Sequence, residues 1–434
     1  MPPPQSTDDA RRLALELFAA AVEGADPAAA TARALTRSPL SPGRVWLLAL
    51  GKAASTMSAG AVRALAAEGH EPAGGLVVAA APGPAPHAAV EAMIGDHPVP
   101  GERSRAAADR LAAVARRVGA GAVALVLLSG GTTSLVGAPV PGVSAAELAG
   151  LFDRLLASGA DIAAMNALRK RFLRWGGGRL ATALAPAAVR CLALSDVAGD
   201  DPAVIGSGPC VPDPTTAAEL LAAAGRAPLA GALSPALHAC LEAVARGERP
   251  ETPKPGDAAF DGARTEVVLA NRDALEAAAA AAARRGLPAT LADWELSGPA
   301  AAAGERCAER LRHAAAGVVL WGGETTVALG GAPTGRGGRA QELALAAARR
   351  LHEARAAGVV LLAAGTDGRD GPTDAAGAIV DHATWARCLA AGVDPAAALE
   401  RHDAYTALDA AGALLRTGPT GTNVRDVVIG IAGV

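Results

Sequence analysis

The chain alternates between short apolar runs and longer amphipathic stretches. "RVWLLALG" (44–51), "GLVVAAA" (75–81), "AVALVLLSGG" (122–131) and "VRCLALSDV" (189–197) are each bounded by glycine or polar residues. Runs of this length without alternation suit strands buried on both faces, as in a parallel sheet. "KAASTMSAGAVRALAAEG" (52–69) has helical spacing. "VSAAELAGLFDRLLASG" (143–159) opens on Ser144 with Glu147 three residues on, a capping box, and Gly159 supplies a stop. The pattern lapses over 246–263, rich in proline and poor in large apolar residues, which reads as a linker or domain edge. It then restarts with the strand "RTEVVLAN", the helix "RDALEAAAAAAARRG", "GVVLWGGET", the helix "RAQELALAAARRLHEAR" and "GVVLLAAGTDG". The pattern predicts an α/β protein with no fixed-period repeat.

Composition narrows this further. A length of 434 residues suits two to three domains. Aromatics are 2% of residues, so the core must be packed from Ala, Val and Leu. A net charge of −3 gives no nucleic-acid footprint. No apolar run is long enough to cross a bilayer. The start, "MPPPQSTDDARRLALELF", lacks the order of regions of a signal peptide. Five dispersed cysteines without a CxxC read as free thiols in a reducing compartment. The expectation is a cytoplasmic protein with no membrane and no nucleic-acid partner.

The unusual residues follow the strands, where open α/β sheets bind ligands. Lys52 opens a helix, a position that disfavours a cation unless an anion is bound there. A lysine reaching solvent is the alternative. Gly130, Gly131, Thr132, Thr133 and Ser134 form a loop whose amides and hydroxyls suit a phosphate or carboxylate, or a plain strand-to-helix turn. Asp196 ends a strand, and Asp200 and Asp201 follow in a long loop; such aspartates hold Mg²⁺, take a proton or cap turns. Glu324 follows another strand. Arg339, after Gly338, again places a cation at a helix start. The stretch 365–381 carries Asp367 and Asp370 between glycines, then Asp374 and Asp381, with a turn or structural role for the last two. "TGPTGTNVRD" (417–426), with Thr420 and Asn423, is a further polar loop, and His97 could orient a substrate or be structural. There is no His/Cys metal cluster, G-x-S-x-G or GxGxxG with a downstream acid. The combination favours phosphoryl transfer with Mg²⁺ over hydride transfer or covalent hydrolysis.

"SGGTTSL", "SDVAGDDPAVIGSGPCVPDPTT", "GGETTV", "GRGGRAQELALA", "AAGTDGRDGPTDAAGAIVD" and "TGPTGTNVRD" occur in that order. Together they resemble the glycerate 2-kinase family of the MOFRL type, also labelled hydroxypyruvate reductase, from about residue 49 to the end. The resemblance implies ATP-dependent phosphorylation of D-glycerate at its 2-hydroxyl, with Mg²⁺. It implies a larger Rossmann-like, mostly parallel domain (1–248 plus about 395–434) and a smaller α/β domain (249–394), with an interdomain cleft. The small-molecule partners would be a hydroxy acid and a nucleotide, and a homodimer is compatible with it. Lys52 and Arg339 match the family's conspicuous cleft cations. Where members commonly read RKHLS followed by KGG, this chain has Arg169-Lys170-Arg171-Phe172 and Gly176-Gly177-Gly178.

In the roles expected, Gly130, Gly131 and Thr132 to Ser134 hold an anionic group, and Lys52 and Arg339 neutralise phosphate or the glycerate carboxylate. Asp196 or Asp200 positions the 2-hydroxyl or its proton, Asp367 and Asp370 hold Mg²⁺ directly or through water, and Glu324 is a reserve acid. Gly338, Thr420 and Asn423 complete the nucleotide-binding set. An NAD(P)H-dependent hydroxypyruvate reductase and a non-catalytic metabolite-binding protein are the alternatives.

Overall fold

The computed structural model describes residues 6–160, 162–329 and 335–433, so the first five residues of the opening stretch lie outside the described residues. The chain forms two compact units, Pro27–Leu269 and Met1–Asp26 with Ala270–Val434.

The unit Pro27–Leu269 is built on β1 (Arg44–Leu50), β2 (Pro72–Ala79), β3 (Val90–Ile94), β4 (Ala122–Leu128), β5 (Ala188–Leu194) and β6 (Ala263–Leu269). They lie in the order β3-β2-β1-β4-β5-β6, and every neighbouring pair is parallel. The central apolar runs are buried on both faces, as their lack of alternation predicts; β4 is buried at every position. Trp46, Leu48, Leu50, Leu76, Val126 and Leu128 pack with Leu111 and Leu180 from flanking helices. Ser144 accepts the amide of Glu147, but the Glu147 carboxylate turns to the hydroxyl of Ser234, so only half of the predicted capping box forms.

The proline-rich stretch 246–263 is not the domain edge. Beyond it, β6 pairs with β5 from Ala263 onward, which extends the first sheet across the apparent linker. The division falls between residues 269 and 270.

The other unit carries β7 (Ala289–Leu291), β8 (Gly317–Gly323), β9 (Val359–Gly365), β10 (Gly377–Asp381), β11 (Leu414–Leu415) and β12 (Asp426–Ala432). Their order is β11-β10-β9-β12-β8-β7. The tail 395–434, expected in the first domain, belongs here. β12 is buried at all seven positions and lies antiparallel between β8 and β9, with Asp426 opposite both Gly323 and Gly365. A strand so apolar is stable only with both edges and both faces covered. The helix Thr7–Gly24 also belongs to this unit, packed along the helix Asn271–Arg284. No described helix is long and apolar enough to cross a membrane.

A buried ionic cluster braces the helical part of the first unit. Asp213 is fully buried and accepts Lys170 Nζ at 2.8 Å and the Thr252 hydroxyl at 2.9 Å, with Arg171 Nε at 3.4 Å. Burial alone raises its pKa, but the hydrogen bonds from Lys170 and Thr215 and the charges of Lys170 and Arg171 outweigh this and hold it below the ordinary value. Asp213→Ala leaves Lys170 buried without its anion and Arg171 with Glu251 alone, and is expected to cost about 3–5 kcal/mol in denaturant unfolding. Because the folded-state pKa is depressed, the stabilisation from Asp213 is present above the unfolded carboxylate value and lost as pH falls through the lower folded value. Acid unfolding of the wild type below about pH 4, with a weaker acid dependence in Asp213→Ala, is the expected pair of results.

Candidate active site

In the first unit, sheet order locates the site. Order β3-β2-β1-β4-β5-β6 reverses between β1 and β4, and ligands of open α/β sheets bind beyond the carboxyl ends at such a switch point. Lys52 follows β1, and Gly130 and Gly131 follow β4. The two loops are laced together. Lys52 N donates to Gly130 O at 2.9 Å, Ser129 N to Leu50 O at 3.0 Å, and Ala53 N to the Ser129 hydroxyl at 3.0 Å.

The predicted hydroxyl set divides. Thr132 is fully buried and its hydroxyl donates to Leu50 O at 2.8 Å, while the Ser134 hydroxyl donates to Pro98 O at 2.5 Å. Both tie the loop to its neighbours, so the expected role in holding an anion passes to the backbone. Thr133 exchanges a hydrogen bond with the Ser207 hydroxyl at 2.8 Å. Gly131 takes φ 84°, and among the described residues the amides of Gly130, Gly131 and Thr133 donate no hydrogen bond. Three unpaired amides on a left-handed turn form a concavity suited to an anion.

Lys52 and His97 are exposed and converge on this turn: a Cβ at Gly131 would lie 3.2 Å from His97 Cδ2 and 3.2 Å from Lys52 Cγ. Lys52 has no ion-pair partner among the described residues. Packing around the His97 ring, then the Lys52 charge, lowers the imidazole below its ordinary pKa. The Asp196 carboxylate lies directly over Gly130, where any Cβ would meet Oδ2 at 1.7 Å. Asp200 takes φ 52°, unusual for a residue with a side chain, and its Oδ1 is buried without a hydrogen-bond partner. Lys52, the glycine turn, Asp196 and His97 thus come together.

In the second unit the strand ends gather a charged group. Glu324 follows β8, Asp367 and Asp370 follow β9, and Asp426 heads β12 between them. Arg339 is the first residue of the helix Arg339–Glu353. Its Nε and Nη2 donate to Asp426 at 2.6 and 3.1 Å, and its Nη1 pairs with Glu324. The anion that allows a cation at this helix start is therefore the protein's own. Burial raises the Asp426 carboxyl pKa against the pull of the guanidinium. Burial works to lower that of Arg339, but Asp426, Glu324 and Asp370 outweigh it and keep the guanidinium charged.

Asp370, expected to bind Mg²⁺, has another task. Its two oxygens accept Ala340 N at 3.1 Å and Gln341 N at 2.7 Å, capping the helix that begins at Arg339. It is 3% exposed, and burial pushes its pKa up to about 7. Both oxygens are committed to helix amides, which favours a role through water over direct coordination. Gly338 serves this cap: a Cβ there would lie 2.3 Å from Asp370 Cγ, so its glycine is explained without a nucleotide. Asp367 is half-buried, with Oδ1 accepting Arg369 N at 3.0 Å. Thr420 N donates to Asp367 O at 3.3 Å and its hydroxyl to Thr366 O at 2.5 Å, and Asn423 Oδ1 accepts Arg425 N at 3.3 Å. Thr420 and Asn423 shape the loop beside Asp367. Among the described residues no group of three or more His, Cys, Asp or Glu side chains could hold a metal ion. Asp374 pairs with Tyr405 and Arg416, and Asp381 with Arg11 and Arg387, so both are structural.

Sequence reasoning missed Asp426 and Asn271. Asn271 Nδ2 donates to Val424 O at 2.7 Å and Asp426 O at 3.0 Å, fixing the backbone on either side of Arg425, which has φ 71°. The available signal for Asp426 was a lone acid heading the otherwise apolar "DVVIGIA".

An all-parallel sheet with a cation and bare amides at its switch point, in a chain that also holds a mixed sheet with a buffered arginine at its strand ends, defines a two-unit α/β protein built to handle small anions. Residues 13–242 match a model described as a domain of unknown function, DUF4147, and residues 317–426 match the MOFRL family. The chain is 40% identical to a putative hydroxypyruvate reductase of Agrobacterium vitis, covering 96% of this chain and 93% of that one. It is 36% identical to the D-glycerate 2-kinase of Thermotoga maritima, covering 97% and 98%. The crystal structure of glycerate kinase from Thermotoga maritima superposes with a TM-score of 0.85 at 35% identity, covering 98% of this chain and all of that one. The chain belongs to the glycerate 2-kinase family of the MOFRL type.

The electrostatic influence of Lys52 on His97 is open to direct measurement. His97 is expected to titrate below 6.5 by NMR, and Lys52→Met is expected to raise that value by removing the charge. An unchanged titration in Lys52→Met would separate the two side chains.

Proposed function

We propose that this protein is an ATP-dependent kinase that phosphorylates D-glycerate, or a similar small hydroxy acid, at the 2-hydroxyl to give 2-phosphoglycerate. The observation that carries this reading is the near full-length likeness to named glycerate 2-kinases in both sequence and fold. The site supports it. A kinase must neutralise phosphate charge, align donor with acceptor and assist the attacking hydroxyl. Lys52 and the amides of Gly130, Gly131 and Thr133 are suited to one anionic group, and the outer edge of the Arg339 guanidinium to another. The 2-hydroxyl oxygen attacks the γ-phosphorus, the bond to the β–γ bridging oxygen breaks, and ADP leaves. The hydroxyl proton passes to Asp196, which lies over the glycine turn, or to Asp200, whose buried Oδ1 has no hydrogen-bond partner.

Mg²⁺ commonly arrives on the nucleotide and needs only one or two protein carboxylates. Asp367 fits that limited role directly, and Asp370, with both oxygens accepting helix amides, fits it only through water. When bound, the ion supplies charge neutralisation on the transferring group. With ATP as donor, the reading also places the enzyme in the cytoplasm.

The hydroxypyruvate reductase alternative has one feature in its favour, a strand order shared with dinucleotide-binding sheets. Against it, β1 leads into Gly51-Lys52-Ala53-Ala54-Ser55, which lacks the three-glycine fingerprint that admits a pyrophosphate.

An ADP-release assay over small hydroxy acids, run beside NADH oxidation with hydroxypyruvate, distinguishes the readings. ADP release with D-glycerate is the expected result; NADH oxidation without ADP release would overturn the kinase assignment. Lys52→Ala is expected to lower kcat/KM about 10²-fold or more with little change in Tm, since Lys52 is exposed. Arg339→Ala is a poorer test than its surface position suggests, because it leaves Asp426 buried without its cation.

A further inference from the structure

Arg339 is held by two carboxylates that differ in how tightly they are bound to it. Asp426 has a side chain 6% exposed and engages Nε and Nη2 in a parallel fork. Its backbone is fixed by β12 between two strands and by the Asn271 amide. Water cannot replace the guanidinium there, so this contact persists. Glu324 has a side chain 42% exposed and meets the guanidinium at Nη1, outside the fork that Asp426 makes. An exposed pair of this kind is worth little and exchanges readily with solvent or another anion. After the Asp426 fork is made, Nη1 and Nη2 each retain an N–H on the outer edge of the guanidinium, the edge that pairs with carboxylate or phosphate.

We infer that Asp426 is the positioning residue that aims Arg339, and that Glu324 is a displaceable counter-ion which an incoming polyphosphate or carboxylate must push aside. Glu324 occupies the outer guanidinium edge without ligand and adds a negative charge that an incoming anion must overcome, so it sets how strongly an anion must bind to enter; Asp426 sets where the guanidinium points once it has entered. The inference rests on the kinase reading for the identity of the natural ligand, but not for the exchange of anions.

The test uses inorganic tripolyphosphate, whose binding needs no turnover. By calorimetry at low salt, Glu324→Gln is expected to bind it about three- to tenfold more tightly than wild type. That gain is expected to shrink at high salt, and KM for ATP is expected to fall in parallel. Asp426→Asn is expected to weaken tripolyphosphate binding and to lower kcat far more than it raises KM. Should Asp426→Asn fail to fold in a thermal scan, Arg339→Lys, which keeps the charge but cannot make the fork, tests the same point and is expected to show the same loss of kcat. Unchanged or weaker binding in Glu324→Gln would overturn the counter-ion role. Full kcat in both Asp426→Asn and Arg339→Lys would overturn the positioning role. An absence of ADP release with every hydroxy acid would defeat the kinase reading while leaving the tripolyphosphate result intact.

Discussion

A carboxylate buried at the head of a strand must have a cation, and in the second unit much of the local arrangement follows from that need. Asp426 begins a strand whose every position is buried, so its charge cannot reach water. Arg339 answers it from a helix start, where a cation is otherwise unfavourable. The helix tolerates this because Asp370 places a second carboxylate on its first amides. Glu324 pairs with Nη1 of the same guanidinium from a more exposed position. The sheet makes the meeting possible: β12 runs against β8 and β9, so its amino end lies beside their carboxyl ends.

The first unit reaches a charged site by a different route. Its strands all point the same way, and the reversal of winding between β1 and β4 opens a crevice at their ends. The site there is mostly backbone. Buried hydroxyls of Ser129, Thr132 and Ser134 fix the loop, and the amides of Gly130, Gly131 and Thr133 are left unpaired. Lys52 brings a formal positive charge to this turn, and burial, then that charge, lowers the basicity of His97 beside it. The substituted stretch Arg169 to Phe172 turns its cations elsewhere. Lys170 and Arg171 serve the buried Asp213, and the Phe172 ring packs in a helical core.

The glycines, lysines and acids that end the strands could be picked out from local pattern, because a polar residue after a continuous apolar run is conspicuous. Lys52, Gly130, Gly131, Asp196, Glu324 and Asp367 stand out this way, and Arg339 as a cation at a helix start. Which atoms remain available for a ligand was not legible. Thr132 and Thr133 are adjacent and chemically alike, yet one hydroxyl is buried against Leu50 O and the other faces Ser207. Asp367 and Asp370 sit in similar glycine-flanked settings, yet only one caps a helix that starts at Arg339, over thirty residues earlier in the chain. Such assignments depend on partners remote in sequence.

The amino-acid sequence by itself determined the α/β class, the strands and the loops that carry chemistry, because burial on both faces and the freedom of glycine are local properties. Tertiary structure alone decided the division of the chain. The proline-rich stretch resembled a boundary, but β6 beyond it completes the first sheet, and the final strand enters the second sheet between two strands laid down earlier. Pairing across a sheet carries no local signature, since any apolar strand could fill either place. Only the closure of both edges of β12, and the cation its leading carboxylate requires, selects the one observed.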